Sequence, residues 1–237
     1  MTREALPNSP LAEVVYEIRF PGNLSLLSTW GSLQADLRGR FPKLFVSRAT
    51  PGEAPLLQPL RLVSDDEQRL VLLSINTFAY CSKKYDTFAD FRRGFEFVFD
   101  EFRRRVTVSS ITRLGLRYVN VLPPTFGPPR ERDRLHPCLK LCLAGWEGLP
   151  NLGEGSTELV FHSRDGDKHL RLGLLDAGQI GSSPEAVVGP KLDFDCYTTA
   201  ADSSRVFPFL ESAHETIESA FFAIITPEYH RYLKGEP

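Results

Sequence analysis

The sequence predicts an α+β protein built as a curved antiparallel sheet with long helices on one face. Three observations carry that expectation. Leu11–Phe20 and Ile111–Leu122 alternate apolar and polar residues with the period of a strand; Phe88–Val106 and Phe207–Ile225 carry apolar stripes with the period of a helix. The order of strand, helix, further strands and long helix then occurs twice, the second series starting 100 residues after the first (Leu11 to Ile111).

Along the chain, Leu11–Phe20 (LAEVVYEIRF) places Val14, Tyr16, Ile18 and Phe20 on one face, and Pro21-Gly22 end it. Leu26, Trp30, Leu33 and Leu37 recur at helical spacing within Leu26–Arg40. Extended segments are expected at Leu44–Arg48, Leu57–Val63 and Arg69–Ile75, the last running on toward Cys81, with a turn at Asp65–Glu67. Phe88, Phe91, Phe95, Phe99, Phe102 and Val106 form one face of the next helix. Thr87 and Asp90 stand at capping-box spacing, and Arg103–Arg105 fall at the negative end of the helix dipole.

In the second series Ile111–Leu122 (ITRLGLRYVNVL) is the strand, the Pro-rich Pro123–Pro129 a joint, and Leu135–Leu143 a helix. Strands follow at Thr157–Ser163, His169–Leu175 and Lys191–Thr198, with Asp165-Gly166 as a hairpin turn; the helix Phe207–Ile225 then stops at Thr226-Pro227, which open a short last helix. The expected organisation is one domain over residues 1–237. It would hold two β-α-β-β-β-α pseudo-repeats at about 10–107 and 110–226, joined by the Pro-rich segment following 122. Folds of the TATA-binding-protein type and helix-grip folds share this outline, a likeness of shape that carries no function.

Composition bounds the function. With 237 residues, 42% hydrophobic and 24% charged, the chain has material for a substantial core and is not of disordered type. A net charge of −2, from 28 basic and 30 acidic residues, excludes a protein that holds nucleic acid by overall charge. Cys81, Cys138, Cys142 and Cys196 are too few and too irregular for a disulfide scaffold. The opening MTREALPNSP has no apolar signal core and no later run is long enough to span a bilayer, so the expectation is a cytoplasmic protein without membrane association.

Three stretches taken together, PLAEVVYEIRFP (Pro10–Pro21), ITRLGLRYVNVL (Ile111–Leu122) and AHETIESAFFAIIT (Ala213–Thr226), resemble a family of sporadically distributed, uncharacterised bacterial and archaeal proteins. The resemblance runs in order over nearly the whole chain. It implies no catalytic residues, because the family has no established activity. Its patchy distribution implies mobile accessory or defence genes.

The most informative polar residues are those on strands. Glu13, Glu17 and Arg19 share one side of the first strand, Arg113 and Arg117 one side of its counterpart, and Asp193 and Asp195 alternate in LDFDCY. Each set falls opposite the apolar stripe. If the counterpart strands are neighbours, Glu13 and Glu17 can pair with Arg113 and Arg117. These seven residues are either a charged groove that grips a ligand or an ion-pair network that sets strand register.

Other signals are weaker. His214 and Glu218, with Glu211 nearby, share a helix face but lack the second histidine of a zinc protease. His136, Cys138 and Cys142 would need a fourth metal ligand. Asp193 and Asp195 with a glutamate would resemble a metal nuclease, but no matching lysine stands by. No phosphate loop or nucleophile elbow is present. The clusters Lys83-Lys84, Arg92-Arg93 and Arg103–Arg105, interleaved with Tyr80 and Tyr85, would suit a nucleic-acid stripe or a solvated helix face.

The sequence therefore points to a non-enzymatic binding or regulatory protein acting through a protein partner, an accessory, defence or antitoxin-like component, with no cofactor, metal or catalytic residue expected. The alternatives are a nucleic-acid-binding module and a small-molecule or enzymatic domain. The latter would have a pocket between sheet and helices lined by Tyr16, Arg113, Arg117 and Asp195.

Overall fold

A computed structural model describes residues 6–46, 59–108, 110–123, 126, 136–141, 157–163, 167–180 and 187–236. The described residues form nine strands: β1 (Leu11–Arg19), β2 (Lys43–Val46), β3 (Leu60–Val63), β4 (Arg69–Ser74), β5 (Thr77–Ser82), β6 (Arg113–Val121), β7 (Thr157–His162), β8 (His169–Ile180) and β9 (Val187–Thr198). Four α-helices accompany them: α1 (Leu26–Leu37), α2 (Phe88–Arg105), α3 (Val206–Ile224) and α4 (Pro227–Leu233).

All nine strands belong to one open, curved antiparallel sheet, in the order β2-β3-β4-β5-β1-β6-β9-β8-β7. The central pair is β1 and β6, with Tyr16 opposite Leu116. From that pair the strands run outward in matching order, β1-β5-β4-β3 on one side and β6-β9-β8-β7 on the other, and β2 is an extra strand on the first edge.

The alternation read from sequence decides which face the helices cover. Val14, Tyr16 and Ile18 of β1, Leu114, Leu116 and Tyr118 of β6, and Leu192, Phe194 and Cys196 of β9 are all buried in the main core. Above them, α2 lays down Phe91, Phe95, Val98, Phe99 and Phe102. Each such side chain contributes roughly 1.5–3 kcal/mol by leaving water. Tyr16 ties both long helices to the central strand. Its ring meets Phe95 edge-on at 4.8 Å, and its hydroxyl donates to the Val206 carbonyl at the start of α3, 2.6 Å away. The Thr87 hydroxyl caps α2 by accepting from the Asp90 amide, and Thr226 does the same for α4 through the Tyr229 amide.

Several elements differ from the sequence expectation. The segment expected to run from Arg69 toward Cys81 is two strands, β4 and β5, folded back at Ile75-Asn76, where Asn76 and Ser74 share a 2.8 Å side-chain hydrogen bond. Helix α1 stops at Leu37, three residues short of Arg40. In place of the helix expected at Leu135–Leu143, residues 136–141 make a turn and an isolated bridge from Leu139 to Ile225. Cys138 and Leu139 are buried there against the end of α3, so their apolar spacing reflects a docking turn. The Pro-rich stretch begins after β6, inside the second set of elements; most of it, and the expected Asp165-Gly166 turn, lie outside the described residues. No helix among the described residues is long and apolar enough to cross a membrane.

Candidate ligand cavity and charged sheet face

All seven strand residues singled out from sequence lie on the face of the sheet opposite the helices, and six form ion pairs. Arg113 is the hub. It donates to Glu17 at 2.8 Å and to both carboxylate oxygens of Asp195 at 2.7 and 2.8 Å. Arg19 closes on Glu17 at 2.8 Å, and Arg117 grips Asp193 through Nε and Nη2 at 2.9 and 2.6 Å. Glu13 pairs with neither arginine directly but adds to the field on Arg117. The hydrogen bonds to Asp193, ahead of its charge, hold the Arg117 guanidinium above its usual value.

The strand register explains these choices. Asp195 stands directly opposite both Arg117 of β6 and Arg171 of β8. Arg171 takes that cross-strand contact, at 3.2 Å. Arg117 instead reaches diagonally to Asp193, leaving Asp195 to Arg113, whose guanidinium lies over Gly115. A Cβ at Gly115 would stand 2.0 Å from Nη1 of Arg113, so only glycine leaves the path open. The ring of Tyr197 supports the same guanidinium, 4.9 Å from its centroid. The side chains of Arg113 and Asp195 retain 18% and 9% of their exposure, so this pair is largely withdrawn from water. Acids and bases on this face answer one another, as expected of a network that fixes register.

The arginines of α2 are matched in the same way. Arg92 pairs with Glu96 and Glu211, Arg93 with Asp90, Arg103 with Asp100, Arg104 with Glu101 and Arg105 with Asp36.

On the helix side a cavity of about 590 Å³ opens between the start of α2, the middle of α3 and the ends of β1 and β6. Tyr85, Phe88, Tyr118, Phe221 and Phe222 give it aromatic walls. A hydrogen-bonded chain runs along it: Tyr85 and Tyr118 join through their hydroxyls at 3.3 Å, and the Tyr118 hydroxyl meets Nδ1 of His214 at 2.9 Å. Phe88 stacks on the His214 ring at 3.9 Å between centroids. Burial pushes Tyr85 up to about 12 and Tyr118 well above the ordinary phenol range, and the charge of Glu218 adds to both. Both phenols therefore keep their protons at neutral pH, and the His214 tautomer sets which way the chain donates.

The pocket drawn from sequence around Tyr16, Arg113, Arg117 and Asp195 does not form. Tyr16 points at the helices while the other three point away, as alternation requires. The observed cavity has different walls, of which sequence inspection marked His214, Glu218 and Glu211 on α3. Tyr118 is one step along the same strand from Arg117, and Asn120 lies one pleat further on. Their membership of a cavity follows from the meeting of segments about 6–11, 85–89, 118–120 and 211–222, which no local pattern announces.

A second cavity, of about 820 Å³, lies beside α2 and is lined by mixed charges including Arg40, Arg69, Asp90 and Arg93. Burial holds the thiols of Cys138 and Cys196 up at about 12 and that of Cys81 higher still, so these cysteines are not activated nucleophiles. Cys142 lies outside the described residues. Among the described residues no three His, Cys, Asp or Glu side chains are placed to hold a metal ion. Compared with known proteins, the chain matches no protein-family model and no curated protein.

Proposed function

We propose that this is a ligand-binding protein whose seat is the cavity between α2, α3 and the sheet. One observation carries the reading: an aromatic-walled space of about 590 Å³ in which Tyr85, Tyr118 and His214 form an ordered hydrogen-bond chain. Binding sites combine an apolar concavity of this size with a few placed polar groups. The charged sheet face supports a binding role less well, because its arginines are engaged by its own carboxylates. The matched arginines of α2 weigh against a nucleic-acid stripe for the same reason. Phenols and thiols held in their protonated forms favour binding over nucleophilic or general-base chemistry.

The test is saturation-transfer NMR of the full chain with a set of aromatic fragments, repeated on Ala89→Trp. Ala89 lines the cavity from an exposed position on α2, so tryptophan there fills the opening without entering the core. Fragment signals that disappear in the variant while its melting temperature holds support the seat. Equal signals in both proteins, or none in either, overturn it.

Action through a protein partner is a second reading, favoured by the two sheet edges. Leu44, Phe45 and Val46 of β2 and Leu159, Val160 and Phe161 of β7 are exposed, Phe161 at 51%. Apolar edge strands are templates for an added strand. Membership of the sporadically distributed family, a cytoplasmic location and an accessory or defence role belong with this reading. The mirrored strand order supports an origin by duplication of one unit. Capture of a defined protein that Val160→Lys releases would favour the edge; capture unchanged by that substitution would remove it.

A further inference from the structure

Granted the reading of a protein partner that docks on a sheet edge, the residues of β7 point to which partner. Among the described residues β7 is the outer strand on its side of the sheet, and it pairs with β8 up to His162 opposite His169. Glu158, Leu159, Val160, Phe161 and His162 are all exposed. Alternation divides them. His169 stands opposite Tyr197 of β9, in the same pleat as Asp195, so His162, Val160 and Glu158 lie on the charged face and Leu159 and Phe161 on the helix side. The ring of His162 is already held, its Nδ1 2.7 Å from Nδ1 of His169, which leaves Nε2 at the far side of the ring. The contact of Glu158 with Arg171 is long, 3.9 Å, and the Glu158 side chain stays 57% exposed.

Two copies of one strand that pair antiparallel are related by a twofold axis. Directly opposed residues must present their backbone groups in the same sense, so the axis passes through a residue. Centred on Leu159, the pair would set Glu158 against Val160; centred on Phe161, it would set Val160 against His162. Centred on Val160, Glu158 faces His162 of the copy, Leu159 faces Phe161, and Val160 faces itself. This register alone of the three matches carboxylate to imidazole on one face of the sheet and apolar to apolar on both. The opposite edge lacks such a match of charge: β2 is four residues long and its one charged residue, Lys43, is held by Glu67. We propose that the chain forms a twofold dimer in which β7 pairs antiparallel with β7 of a second copy, centred on Val160, so that the sheet runs on across the axis with both helix layers on the same side.

Six residues a side is few against the roughly 20–30 of a standard interface, so the dimer is expected to dissociate on dilution. Sedimentation equilibrium of the full chain over about 1–200 μM should show the mass rising from one chain toward two. Val160→Lys sets two like charges on the axis and should weaken association about tenfold with the melting temperature unchanged, because Val160 is exposed. Cysteines read the register: Val160→Cys should link two copies by a disulfide under mild oxidation and Glu158→Cys should not, with the unsubstituted chain as the blank for the native cysteines. A chain that stays monomeric throughout, or a dimer that Val160→Lys leaves unchanged, overturns the proposal, and equal linking through both cysteines overturns its register. If the chain is monomeric yet captures another protein that Val160→Lys releases, the edge reading stands and the second copy falls. If it does neither, both fall.

Discussion

The two faces of the central strands hold together by opposite means. Toward the helices, β1, β6 and β9 present Tyr16, Tyr118 and Phe194 to a layer of phenylalanines, and the polar atoms there are a few phenols with assigned partners. Away from the helices the same strands present Glu17, Arg113, Arg117, Asp193 and Asp195, locked in hydrogen-bonded ion pairs. One face gains from area removed from water and leaves a cavity between the two helices and the sheet. The other gains specificity: a one-residue slip of β9 against β6 would put apolar side chains where these carboxylates meet their arginines. Charge on a strand is therefore not in itself a sign of a site. Here the arginines of the charged face are engaged by its own carboxylates, and the apolar face contains the space.

Alkali should break this contrast most strongly, because most of the buried groups it titrates lie on or beside the helix face. Burial raises Tyr16, Tyr80, Tyr85, Tyr118 and Tyr229, all on or beside that face. Each therefore binds its proton more tightly folded than unfolded. Their contribution is complete below the unfolded value of 10.0 and is lost as pH rises through the folded values. For Tyr85, between 10.0 and about 12, the loss approaches ~1.4 kcal/mol per pH unit, and the other four add to it in the same direction. Urea midpoints should fall steeply from pH 10 upward. A flat profile between pH 9 and 11 would mean that these phenols are not buried.

Phe95→Ala comes next. The ring is fully buried and touches Tyr16, Phe78, Phe99 and Phe207, so truncation leaves a cavity between α2, α3 and the sheet. A loss of about 3–5 kcal/mol is expected in chemical denaturation. A loss below about 1 kcal/mol would show that the helix layer is not packed as described.

The charged face should respond to Asp195→Ala by about 2–3 kcal/mol, below the figure for a fully buried pair because Arg171 is half-exposed. The substitution strands Arg113, which has lost its bidentate partner, and spares the helix face. Replacing Arg113 and Asp195 together with Met and Leu should recover most of the loss, since neither charge is then left unanswered. Failure of the double variant to recover would show that the carboxylate has a role beyond pairing.

Much of this fold was legible because it rests on long periodic segments. The β1 and β6 alternation and the α2 and α3 stripes placed the central strands, the two covering helices and the charged face. The β4–β5 turn was missed because Ile75-Asn76 lacks the glycine that marks a tight hairpin, its side-chain bond to Ser74 standing in. The turn at 136–141 was misread because Cys138 and Leu139 are apolar for a distant reason, the end of α3. Of the charged set, face was predictable from period and partner was not. Arg117 takes Asp193 rather than Glu13, and Arg171 joins the network, only because β9 and β8 fall beside β6 in one register. The cavity was least legible of all, since four separated segments make it.

The smallest effect sharpens the comparison most, because it removes neither a charged group nor a core side chain. Gly115→Ala adds one methyl group, whose carbon would stand 2.0 Å from Nη1 and 2.6 Å from Cζ of Arg113. The obstacle is the far end of a flexible side chain, so the strand itself is undisturbed and alanine fits its backbone. The guanidinium must lift off the sheet, giving up its contact with the Tyr197 ring and the alignment of its two bonds to Asp195. Re-solvation of the displaced arginine offsets part of the loss, so about 1–2 kcal/mol is expected. In an Arg113→Met background, where nothing crosses Gly115, the same substitution should be neutral within about 0.5 kcal/mol. Equal destabilisation in both backgrounds would mean that the glycine serves the strand and not the arginine. The crossing of Arg113 from β6 to Glu17 on one side and Asp195 on the other would then lose its role in fixing the register of the central strands.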